Sequence, residues 1–271
     1  MKPVKVISGN SFSFTNYLYD VWANRSLIAA FARRDLRVQY AQTYLGLLWS
    51  ILQPVIAVLI FTFFFQRVIH LNMRVPYAVF ALTGILGWFY FTQLVGQAGT
   101  SLMHNKGIIT KVAFPKLILP LAKTLIGLTE FGISLCLLLI LMLVTGMPFT
   151  AKIVWLPLAI LANIMAGLSI GIWLAGLTIR FRDLHHVIPF LIGFGIWITP
   201  VFYPTTLVPN GVTWIYYLHP VANVIALYRY IFIGDAIQLL PMLTSFGVAA
   251  VLLVTGLVFF IRNEKLMADY L

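Results

Sequence analysis

The sequence predicts an all-α integral membrane fold: six transmembrane helices, an N-terminal amphipathic interface helix, and short re-entrant outer helices between the fifth and sixth spans. Three observations carry this. Of 271 residues, 61% are hydrophobic and only 9% charged, where a soluble domain carries roughly 25% charged residues; mean hydropathy is +0.97. Several uncharged runs reach the ~20 residues a helix needs to cross a bilayer. Finally, Val187 to Tyr228 is 42 residues without Asp, Glu, Lys or Arg, yet Pro200, Pro204, Pro209 and Pro220 break it repeatedly. Irregular backbone at membrane depth survives only where protein or a water-filled cavity satisfies its polar groups. This stretch therefore reads as a rising helix followed by short pieces that return part-way around a passage.

The whole chain, 1–271, reads as one transmembrane domain. Residues 1–44 form a cytosolic and interface segment. Its first 26 residues lack the 7–15-residue apolar core of a cleavable signal peptide. From Leu27 to Gln42 a basic helix is predicted, with Leu27, Ile28, Phe31 and Val38 on one side and Arg33 and Arg37 on the other; such a helix can lie in the headgroup plane, and a solvated juxtamembrane helix that obeys charge topology is the alternative. Spans follow at about 45–68, 77–103, 117–145, 153–179, 187–203 and 236–261, with a broken outer hairpin over 204–235. Pro54 is expected to kink the first span. In the second, Gly84, Gly87, Gly96 and Gly99 allow close helix contacts. Gly146, Met147 and Pro148 make a turn after the third.

Orientation follows from the cations. With both termini inside, inner segments hold fourteen Lys and Arg residues and outer segments four: Arg67, Arg74, Lys152 and Arg229. The positive-inside rule then places both termini in the cytoplasm. The same rule accounts for a net charge of +11 without invoking nucleic acid.

Several chemistries are missing. The sequence contains no G-x-x-x-x-G-K-[ST] phosphate loop. No His, Cys and carboxylate group has metal-ligand spacing, and the single cysteine, Cys136, forms no pair within the chain. The carboxylate and basic relay of an ion-driven pump is also absent. The driving force is therefore expected from another polypeptide, with no cofactor in this chain. Glu130 is the one acid within the predicted spans. Lys123 lies two turns away on the same face, about 10 Å along the axis, too far for direct pairing. A partner on another helix, a polar cavity or a neutral acid stay open for it.

Three stretches together resemble a known family: YAQTYLGLLWSILQPV at 40–55, KVAFPKLILP at 111–120, and RFRDLHHVIPF…TPVFYP…VP…YLHPVANVIALYR at 180–229. They are similar to the membrane subunit of type-2 ABC exporters, most of all the O-antigen, capsule and teichoic acid permeases. The resemblance covers about residues 25 to 262. It departs at His219-Pro220, where Asn-Pro is usual, and at Lys116-Leu117, where Arg-Glu is usual.

What the resemblance implies is a homodimer in the bacterial inner membrane, docked to two copies of a cytosolic ABC ATPase that binds ATP and Mg. ATPase coupling would fall on His104, Asn105, Lys106 and Lys111 and on the turn with Arg180, Arg182, Asp183 and His185. The substrate would be a polysaccharide on a polyprenyl diphosphate. Arg33, Arg34 and Arg37 sit where that diphosphate would arrive, and the planar arginine fork suits phosphate oxygens; headgroup anchoring is the rival role. Aromatic rings would line the conduit, since ring faces hold sugar C–H surfaces without fixing them. The candidates are Phe190, Phe194 and Trp197, at i, i+4 and i+7, with Trp49, Tyr203, Trp214, Tyr216 and Tyr217. Packing or an interface belt is the alternative for any one ring.

Two other functions fit parts of the sequence. One is type-2 ABC export of a small drug or lipid. The other is a membrane-embedded polyprenyl-phosphate glycosyl- or acyltransferase, for which only Asp183 with His185 and His186 offers a surface acid–base group.

Overall fold

The computed structural model describes residues 14–41, 46–71, 73–181 and 183–270, with the side chains of 47, 210, 217 and 265–270 left aside. Among these residues the chain is helical, without strands. Two helices precede the long apolar segments: α1 (Phe14–Ala23) and α2 (Arg25–Tyr40), separated at Asn24. The basic helix expected over 27–42 is thus present, and it packs along α6 with Ala32 buried.

Among the described residues five segments are long and apolar enough to cross a membrane: Leu48–Val68, Tyr77–His104, Ile118–Val144, Ala151–Arg180 and Leu239–Glu264. They correspond to α3 (Gly46–Thr62, continuing as a π turn to Val68), α4 (Tyr77–His104), α6 (Ile118–Val144), α7 (Leu156–Arg180) and α11 (Leu239–Tyr270), with the short α5 (Lys106–Ile109) after α4. The expected fifth span is shorter. α8 (Leu184–Ile198) has 15 residues, about 22 Å of helix, against a hydrocarbon core near 30 Å. Beyond it the chain breaks at Thr199–Pro200 and continues through two short 3-10 turns into α9 (Ile215–Leu218) and α10 (Pro220–Phe232). The four prolines explain this, because each removes a backbone donor and fixes φ. Pro54 behaves differently: α3 continues through it.

The core is organised around α4, most of whose residues are buried, in contact with α3, α6, α7 and α10. Gly84 makes that possible on one side. A Cβ there would stand 2.3 Å from the Val201 carbonyl oxygen, so the broken segment after α8 lies directly on the α4 backbone. Gly96, in contrast, meets only Ile192, at 3.8 Å. Gly146 ends α6 at φ +69°, and Met147 N donates to Met142 O at 2.9 Å, closing the helix.

The break after Ile198 leaves carbonyls without helical donors, and buried side chains supply them. Arg229 on α10 donates to Val201 O at 2.8 Å and lies 3.8 Å from the Phe80 ring centroid. Tyr77 donates to Phe202 O at 2.7 Å. Arg229, counted above among the outer loop cations, is therefore a buried core residue, 4% exposed.

At the other end of the molecule, α1 and α11 are both tied to the segment before α6. Tyr17 donates to Glu264 Oε2, the Lys116 amide donates to Glu264 Oε1 at 3.2 Å, and Lys116 Nζ donates to Glu264 O at 3.2 Å. Lys116, where the family pattern has Arg followed by Glu, still finds a carboxylate; it comes from α11.

Candidate functional site

The site grows out of α2. Along this helix Arg33 and Arg37 are exposed, and no ion pair holds them among the described residues. Arg34 is engaged instead. Its Nε and a terminal nitrogen donate to Asp35 Oδ1 at 2.8 and 2.6 Å, and the same terminal nitrogen donates to Asn105 Oδ1 at 2.6 Å. Lys123 Nζ, from α6, donates to Asp35 Oδ2 at 2.6 Å. Burial pushes the Asp35 carboxyl up, but Lys123 and Arg34 more than reverse this and hold it below its ordinary range. Phe31 adds an apolar contact, with its ring 5.4 Å from that of Phe114. α2 is thereby fixed at two points, Phe114 and Asn105, to the stretch between α4 and α6.

The two stretches expected to couple to an ATPase lie side by side. His104 and His185 meet edge to face, ring centroids 6.0 Å apart, and His186 adjoins His185 at 5.5 Å. His104, Lys106, Lys111, Arg180, Asp183 and His185 are all exposed. Asn105 differs: it is buried, bonded to Arg34 and through Nδ2 to Ser101 O at 2.8 Å. Its place is inside the joint rather than on the surface around it. Arg182 lies outside the described residues.

The aromatic candidates fall into two groups. Phe190, Phe194 and Trp197 project together from α8, exposed by 58–63%, with Phe190 and Phe194 in ring contact at 4.7 Å. Trp49 and Trp214 are likewise exposed. Trp197 meets Phe61 of α3 edge-on at 5.9 Å, so these two helices share an apolar surface. Tyr203 and Tyr216 also make hydrogen bonds through their hydroxyls. Tyr203 donates to the carbonyls of Trp197 and Ile198, both at 3.0 Å, and Tyr216 to that of Ile198 at 3.4 Å. Both cap the end of α8. The Tyr217 side chain lies outside the described residues.

Glu130 has a partner on another helix, one of the options left open by the sequence. Its Oε1 accepts from Gln39 Nε2 at 2.5 Å. Beside it a cavity of about 20 Å³ is lined by Ser50, Gln53, Gln93 and Ser134, enough for about one water molecule. Lys123 and Glu130 thus each reach back to α2, one to Asp35 and one to Gln39. Sequence reading missed Asp35, Gln39 and Lys123 as members of the site. The helical spacing of 35 and 39 (i, i+4) was the available signal.

The family model for ABC-2 type transporters matches residues 26–233. The chain belongs to the ABC-2 type transporter family. The matched region begins in α2, ends just past α10 and contains the whole site. An O-antigen export system permease protein RfbA of Klebsiella pneumoniae is 26% identical over 257 residues, covering 94% of this chain and 96% of that protein. A protein of the same name from Myxococcus xanthus is 28% identical over 215 residues, 79% and 82% of the two chains. The polysialic acid transport protein KpsM of Escherichia coli is 25% identical over 250 residues, 89% and 94%. As an ABC-2 permease the chain is a multi-pass membrane protein, and membership implies an ABC ATPase partner.

Proposed function

We propose that this permease moves a polysaccharide carried on a polyprenyl diphosphate out across the bacterial cytoplasmic membrane, as a homodimer driven by two copies of a separate ABC ATPase. The observation that carries the reading is the site on α2. Exposed Arg33 and Arg37 flank an Arg34 that is joined to the coupling segment at Asn105. A lipid diphosphate arriving at the headgroup level meets cations there. The names of the relatives, O-antigen export and polysialic acid transport, favour a glycan as the cargo.

In this reading α8 and the broken segment after it form the fifth span with its re-entrant pieces, making six spans per protomer. Both termini are cytoplasmic, in keeping with a Lys and Arg distribution of fourteen inner to three outer once the buried Arg229 is set apart. The shared surface of α3 and α8, with only Ile188 of α8 buried, faces the second protomer across the conduit. Trp49, Phe190, Phe194, Trp197 and Trp214 line the passage. His104, Lys106, Lys111, Arg180, Asp183 and His185 meet the ATPase.

The test is a triple substitution, Arg33→Gln, Arg34→Gln and Arg37→Gln, in a cell that depends on this permease. Immunoblotting of surface polymer is expected to show loss of export while the ATPase still co-purifies in mild detergent. Surface polymer at the wild-type level in that variant ends the reading.

A further inference from the structure

The geometry of the Asp35 carboxylate is that of a bound anion. One oxygen takes two donors from the Arg34 guanidinium, at 2.6 and 2.8 Å, and the other takes the Lys123 ammonium at 2.6 Å. The cations come from two helices, α2 and α6, and converge on a single acid. Exposure falls along the network, from 37% for the Arg34 side chain to 17% for Asp35 and 11% for Lys123. Lys123 is the most enclosed of the three. A guanidinium fork beside an ammonium is also a strong combination for a phosphate group. Among the described residues, Arg33 and Arg37, on the same helix, have no such internal acid.

We propose that Asp35 is a resident stand-in for the substrate: it fills the Arg34–Lys123 fork at rest, and a lipid diphosphate displaces it, bringing Lys123 into the binding site as a fourth cation. This rests on the diphosphate reading above. The exchange needs no new cationic residue, only rotation of the Asp35 side chain out of the fork. It also makes entry selective. A headgroup with one weakly held charge does not displace a carboxylate holding three short charge-assisted bonds, whereas a diphosphate offers more negative oxygens to the same donors.

The experiment uses the full-length protein in phosphatidylcholine nanodiscs, with farnesyl diphosphate as the probe and farnesol as the uncharged control. Asp35→Asn is expected to tighten farnesyl diphosphate binding by about tenfold, the equivalent of one charge-assisted hydrogen bond released from competition. Thermal unfolding of the same samples reports whether the fold is intact. Should Asp35→Asn alone fail to fold, the comparison moves to a Lys123→Gln background, where no buried ammonium is left without its acid. There the Asp35→Asn, Lys123→Gln pair must bind more tightly than Lys123→Gln.

Equal or weaker binding on removal of Asp35, with the wild type binding in an Arg33-, Arg34- and Arg37-dependent way, overturns this inference and leaves the diphosphate reading standing. Wild-type protein that does not bind, or binds equally after all three arginines become Gln, removes that reading itself. A matching gain for phosphatidylglycerol marks unspecific charge attraction and also overturns the proposal.

Discussion

Arg229 and Val201 are joined across the molecule: the guanidinium on α10 donates to the carbonyl oxygen just beyond the break after α8, at 2.8 Å. The arginine is buried over the Phe80 ring, so the bond is made in a setting where an unpaired carbonyl is costly. Arg229→Ala leaves Val201 O without its donor and opens a cavity. The expected loss is about 3 kcal/mol or more, read as a lower melting temperature of the purified protein. An unchanged melting temperature would mean that the break is held by other contacts.

Gly84 gives a sharper steric test. In Gly84→Ala the new methyl would stand 2.3 Å from the Val201 oxygen, and a backbone atom cannot swing aside as a side chain does. Overpacking of this kind costs about 1–3 kcal/mol. Gly96→Ala is the control, since its methyl would meet only Ile192 at 3.8 Å. Fluorescence-detected gel filtration after heating should separate the two variants; equal survival would show that the α4 contact at Gly84 is loose.

Asn105 and its neighbours should divide by mechanism. Asn105→Ala removes the bond to Arg34 and the bond to Ser101 O, and is expected to lower stability by about 1–3 kcal/mol. Lys106→Ala with Lys111→Ala changes exposed cations only, and should leave the melting temperature within about 2 °C while weakening ATPase co-purification. The reverse pattern would place Asn105 on the docking surface and the lysines in the fold.

The low Asp35 pKa predicts a pH dependence with a definite sign. A carboxyl whose folded-state value is depressed contributes stability at pH above its unfolded value, near 3.8. That contribution is lost as pH falls through the lower folded-state value. The melting-temperature gap between wild type and Asp35→Asn should therefore be constant from about pH 7 to pH 5, and narrow on acidification below the unfolded value. A gap that stays constant to pH 3 would mean that Asp35 acts through packing rather than charge.

Much of this architecture was legible because the bilayer imposes it. Uncharged runs mark α3, α4, α7 and α11, a long apolar run with only Lys123 and Glu130 marks α6, and the prolines between 200 and 220 mark the broken segment. The basic helix α2 was also visible, from the spacing of its apolar residues. What periodicity cannot give is the partner of a polar side chain. Arg34 meets Asn105, Lys123 meets Asp35, and Glu130 meets Gln39 across 71, 88 and 91 residues of sequence. Arg229 looked like a loop cation because the need it meets, a carbonyl freed by the break at Pro200, arises only when the chain folds back onto α4. The capping bonds of Tyr203 and Tyr216 were hidden for a related reason: an aromatic ring advertises a surface, while a hydroxyl's acceptor, here the carbonyls that end α8, is known only from the fold.

The 28 residues of α4 form a rod of about 42 Å. At one tip stands Tyr77, which grips the Phe202 carbonyl. The other tip reaches Ser101 and the adjoining Asn105, wired to Arg34. A buried helix in a close-packed interior shifts as a body instead of compressing. An ångström of push at one tip is thus delivered at the other, and the two extremities of the permease keep common time.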